Sequence, residues 1–188
     1  MMRLSIPVLG MICFADTPAF AQQQPEYPGL VPAFLKACVD GELSVAARET
    51  AMAAEGWAET AVNVDVPSFN ISGALDRNFE FSKPLSVKQW EKQIDGSRVR
   101  AVVATFPEKR RYPTICAFVA SNVKSGWPYN EAFADGIKSI GLKGKSTDLP
   151  HYFEYSGKVG GTKPVRAEVS GRTRVVPDKN AMHLYIAF

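Results

Sequence analysis

Hydrophobic and polar positions alternate most regularly in the last third of the chain. In residues 164–172, Val165, Ala167 and Val169 alternate with Arg166, Glu168 and Ser170. In residues 181–188, Met182, Leu184, Ile186 and Phe188 alternate with Ala181, His183, Tyr185 and Ala187. A period of two is that of a β-strand with distinct faces, and residues 151–156 read as a third, aromatic strand. With turns over 157–162 and 176–180, the three segments predict an antiparallel meander with one packed and one wet face. Val165, Val169, Leu184 and Ile186 belong on the packed face; Arg166, Glu168, Tyr185 and His183 belong on the wet one.

Upstream, Val99, Ala101, Val103 and Thr105 alternate with Arg98 and Arg100, which predicts a strand over 98–106. Residues 114–120 are almost continuously apolar, the signature of a central strand covered on both faces. These two strands should pair antiparallel across the proline-bounded loop from Pro107 to Pro113, with the C-terminal three extending the same sheet. Residues 63–71 and 78–82 are shorter strand candidates.

Helical spacing appears in two places. Phe34, Leu35, Cys38 and Val39 share a face after Pro32, which suits a first helical turn. Ser44 can cap a second helix over 45–55, stopped by Gly56. Farther on, Asn130 caps a predicted helix with Phe133, Ile137 and Ile140 on one side, ended by Gly141. Helices, strands, a helix and more strands in that order give an α+β fold. The expectation is a single domain with an antiparallel sheet of about five or more strands and helices packed on one face.

The N-terminal pattern is different in kind. Arg3 precedes an apolar run from Leu4 to Ala15, and Ala19-Phe20-Ala21 forms an A-x-A site before a Gln-rich start. This reads as a secretory signal peptide over 1–21, then a flexible leader over 22–29 and the domain over 30–188. The apolar run is too short for the roughly twenty residues of a membrane span, and no later stretch approaches that length. Export directs attention to the cysteines. Cys38 and Cys116 remain after processing, and in an oxidising compartment such a pair is read as a disulfide.

The net charge of +3 is unevenly spread. Residues 26–59 are acidic and residues 138–179 basic, so the C-terminal half could face an anionic partner, although a solvated surface also explains spaced cations. No cofactor, metal or nucleic-acid pattern stands out. Gly144-Lys145-Ser146 lacks the first glycine of a phosphate loop, since Ser139 occupies that place. Asp148, His151, Glu154 and His183 have no zinc-ligand spacing, and no G-x-S-x-G elbow is present. Asn70-Ile71-Ser72 matches a glycosylation acceptor only by chance in a chain with a bacterial-looking leader. Two clusters remain as ligand-contact candidates. One is the basic loop with Arg110, Arg111 and Tyr112, where guanidinium groups could hold an anion in bidentate fashion. The other is an aromatic set that includes Trp127, Tyr129 and Tyr152, whose rings with polar edges suit sugars or proteins.

The chain resembles small uncharacterised exported proteins of proteobacteria in its A-x-A signal, the stretch Phe34-Leu35-Lys36-Ala37-Cys38, the Gly56-Trp57 step and the strand with Thr114-Ile115-Cys116. That resemblance implies a periplasmic or secreted location and brings no catalytic residues. The functional expectation is a non-enzymatic binding domain for a protein or cell-envelope component. The alternative is a small exported hydrolase using His151 or His183 with carboxylates.

Overall fold

The continuously apolar segment becomes the strand at the middle of the sheet. The computed structural model describes residues 26–62, 84–109, 111–121, 123, 127–146, 152–159, 163–170 and 182–188. Residues 1–21, read as a signal peptide, and the strand candidates at 63–71 and 78–82 lie outside them. Among the described residues eight strands form one antiparallel sheet: β1 (Ala58–Thr60), β2 (Ser86–Ile94), β3 (Ser97–Thr105), β4 (Thr114–Ala120), β5 (Lys143–Ser146), β6 (Tyr152–Val159), β7 (Lys163–Ser170) and β8 (Met182–Ala187). Their spatial order is β1-β2-β3-β4-β8-β7-β6-β5. Every residue of β4 is buried, because the strand is paired on both edges and has residues packed on both faces.

That order makes two four-stranded meanders joined at β4 and β8. A helical segment precedes each: α1 (Leu30–Phe34), a π-helical turn (Leu35–Val39) and α2 (Val45–Ala54) before the first, α3 (Trp127–Ser139) before the second. The chain therefore builds the same arrangement twice, although no internal repeat is visible in its residues.

The helices cover one face. Phe34 meets Phe118 edge-on with ring centroids 5.3 Å apart and lies 5.7 Å from Phe133, while Trp57 sits 4.7 Å from Phe118. Such ring pairs add about 0.5–1.5 kcal/mol each beyond their burial. Val99, Val103, Leu184, Ile186, Val165 and Val169 complete this core from the sheet side. A Cβ at Gly136 would collide with the Leu35 side chain, so this glycine lets α3 cross the π-helical turn closely. The Cys38–Cys116 disulfide ties that turn to β4, with Cα atoms 5.5 Å apart and 78 residues of sequence separation. A loop that long is worth about 4.5 kcal/mol by the chain-entropy relation.

Arg48 fixes the bend between α1 and α2. It is fully buried, and its guanidinium donates to the carbonyls of Ala37 (3.3 Å), Asp40 and Glu42 (2.8 Å). Burial lowers its pKa, with the nearby Asp40 and Glu42 carboxylates acting in the opposite direction. Three charge-assisted hydrogen bonds offset the desolvation, each worth about 1.5–3 kcal/mol. Ser44 caps α2 as the sequence indicates, its Oγ accepting from the Ala47 amide at 3.3 Å.

Several expectations change. The face read as wet is largely covered: Glu168, Tyr185 and His183 are each under 5% exposed, and Arg166 is half-buried. Val102, Ala104, Phe106, Tyr112, Ile115, Ala117, Tyr185 and Ala187 form a second apolar cluster there. Alternation separates the two faces of a strand, but it does not say whether the second is covered. Val165, Val169, Leu184 and Ile186 do lie on the helix-covered face, so the register is as expected. Asn130 is not a cap, because α3 starts at Trp127 and places it inside the helix. Strand β2 escapes the pattern because Lys88 and Lys92 occupy its helix-facing positions. Its tight turn, Asp95-Gly96, has both residues at positive φ, 50° and 85°. That is the type I′ geometry matched to strand twist. The Asp95 carboxylate accepts from the Gly29 amide at 2.6 Å and so anchors the start of α1 to this hairpin.

Candidate binding groove

The basic loop between β3 and β4 is closed by the Phe106 amide donating to the Pro113 carbonyl at 2.7 Å. Phe106 and Tyr112 turn inward to the second apolar cluster. With Tyr112 buried, its ring supports Arg111, whose guanidinium carbon stands 5.4 Å from the ring centroid. Arg111 itself is exposed. Arg110 lies outside the described residues.

Arg111 borders an open cavity of about 430 Å³. Four stretches of the chain meet there. Leu43 and Val45 come from the approach to α2 and its first turn, Pro113 and Thr114 from the start of β4, Lys163 and Pro164 from the start of β7, and Phe188 from the end of β8. Thr114 and Phe188 exchange both backbone hydrogen bonds at 2.9 Å, which fixes the floor where β4 and β8 meet. The Ser44 hydroxyl at the rim is engaged as the α2 cap. The walls are thus mainly apolar, with two exposed cations, Arg111 and Lys163, on the rim. Neither forms an ion pair among the described residues. An apolar concavity with a few convergent polar groups, in this size range, is the usual form of a small-ligand site.

Of the aromatic set, Tyr129 does not line this groove. Tyr129 is buried, its hydroxyl accepting from the Tyr27 amide at 3.0 Å, and burial pushes its phenol pKa up. The side chains of Trp127 and Tyr152 lie outside the described residues, as does His151.

Titratable groups do cluster on the second sheet face. Glu91 accepts from Arg98 and Arg100, the Nε of each at 3.0 Å. Partial burial works to raise the Glu91 pKa, but these two cations overcome it and hold the carboxyl below its ordinary range. On the other half, Arg166 donates to Glu154 at 3.0 Å and lies 3.5 Å from Glu168, which also accepts from the Tyr185 hydroxyl. These are internally paired charges. His183 is buried on the same face, without a hydrogen-bond partner for Nε2 among the described residues, and burial pushes its pKa down to about 4. No group of His, Cys, Asp or Glu among the described residues could hold a metal ion.

No family model, curated protein or solved structure matches this chain. Of the groove residues, sequence reasoning singled out Arg111 alone. Lys163, Val45 and Phe188 carry no local motif, and only the long-range pairing of β4, β7 and β8 brings them together.

Proposed function

We propose that this chain is an exported, non-enzymatic binding domain that holds an anionic, partly apolar partner, a protein or a cell-envelope component, in the groove beside Arg111. One observation carries the reading: two exposed cations without ion-pair partners among the described residues flank the apolar wall of a single cavity. The Cys38–Cys116 disulfide supports it, since such bonds persist in oxidising compartments. The hydrolase reading draws no support from His183, which is buried, neutral at physiological pH and unpaired with any described carboxylate.

The test places a photo-crosslinking phenylalanine analogue at position 45, on the groove wall, in cells that export the protein. A discrete adduct should form on illumination and disappear when Arg111→Glu and Lys163→Glu are combined. No adduct, or one indifferent to both charges, contradicts the reading.

A further inference from the structure

The groove's chemistry narrows the partner. We infer that it takes a single-chain anionic amphiphile, a carboxylate head between Arg111 and Lys163 with a short alkyl chain along Val45, Pro113 and Pro164. This inference rests on the groove being the binding site.

Three features favour that class. First, a small inorganic anion would satisfy the cations and leave the apolar wall wet, whereas a neutral hydrocarbon would do the reverse. The cavity asks for both parts in one molecule. Second, the volume of about 430 Å³ suits one small ligand. Third, the strands under the groove offer no free edge. β4, β7 and β8 are interior strands of the sheet, and Thr114 and Phe188 are already paired to each other. An extended peptide would therefore find no strand to add to, and strand addition draws its affinity from such main-chain bonds. An alkyl chain needs none. Arg111 supplies a planar donor fork suited to a carboxylate, held against Tyr112, and Lys163 supplies a point charge on the same cavity.

Decanoate, kept below its micelle-forming concentration, is the probe for calorimetric titration of the disulfide-bonded protein. One decanoate should bind per chain, while acetate and decan-1-ol should bind far more weakly. Arg111→Gln and Lys163→Gln should each weaken decanoate binding by about tenfold or more, the scale of one charge-assisted contact. Val45→Asp should also weaken it; Val45 is only partly buried against the core, and a carboxylate in the first turn of α2 suits the helix dipole. Unchanged thermal unfolding of the variants confirms that folding is intact. Equal binding of decan-1-ol, indifference to all three substitutions, or binding to phosphatidylglycerol vesicles without binding to monomeric decanoate would overturn the inference. A failed decanoate titration beside a charge-dependent crosslink at position 45 would reject this ligand class and leave the groove as the binding site. Failure of both would reject the site as well.

Discussion

At the scale of single residues, His183 shows how much a strand pattern leaves unsaid. Its position on the face opposite Leu184 and Ile186 follows from alternation, and β8 keeps that register against β4 and β7. Its burial does not follow, because it depends on what covers the second face. The consequence is a pH dependence. The folded pKa of about 4 lies below the ordinary 6.5, so the unfolded chain takes up the proton first as pH falls. Stability from this group is full above pH 6.5 and is lost as pH falls towards 4, by roughly 3 kcal/mol. Chemical denaturation at pH 7.0 and 4.5 should show most of this loss in the natural protein and a much smaller one in His183→Leu. Glu91, whose pKa is lowered, is present in both proteins and so cancels from the comparison. Equal pH dependence in both proteins would show that His183 is not held neutral in the core. Cys38 and Cys116 were legible for the opposite reason: with residues 1–21 read as a leader, they are the two cysteines left, and an oxidising compartment favours their pairing.

At the scale of elements, legibility followed the strength of each local signal. The Ser44 cap and the Gly56 and Gly141 stops lie where local chemistry puts them, with both glycines at positive φ. Strands β3 and β4 pair as the alternating and continuous apolar patterns indicate, Val103 opposite Cys116. Strands β2 and β5 were missed because lysines interrupt both. In β2, Lys88 reaches Glu49 at 2.7 Å and Lys92 reaches the Glu55 carbonyl at the margin of the helical layer. A long cationic side chain can thus occupy the packed face at a sheet margin with its head directed outward. The signal that could have revealed β2 is Asp95-Gly96, a strong hairpin dipeptide. Gly96→Ala tests that turn. Forcing an L side chain to φ near 85° should cost about 1–2 kcal/mol, lowering the urea midpoint without changing its slope. An unchanged midpoint would contradict the type I′ assignment.

At the scale of the whole molecule, the α+β class and the helix-covered face were readable, and the doubled architecture was not. Period and punctuation specify elements, but they do not specify that two meanders meet at β4 and β8. The groove inherits that blindness, since it exists only because the starts of β4 and β7 and the end of β8 reach one corner beside α2. The bridge ties the helical turn to β4 two residues beyond Thr114 of that corner, and such bridges form and persist in oxidising compartments. Mass spectrometry of the protein recovered from its native cells, alkylated before any reduction, tests export and bridge together. The expected result is a chain starting at Gln22, two hydrogens lighter than the dithiol, that yields a linked peptide containing Cys38 and Cys116. A chain still starting at Met1 with both thiols alkylated would contradict the account of an exported, disulfide-stapled binding domain.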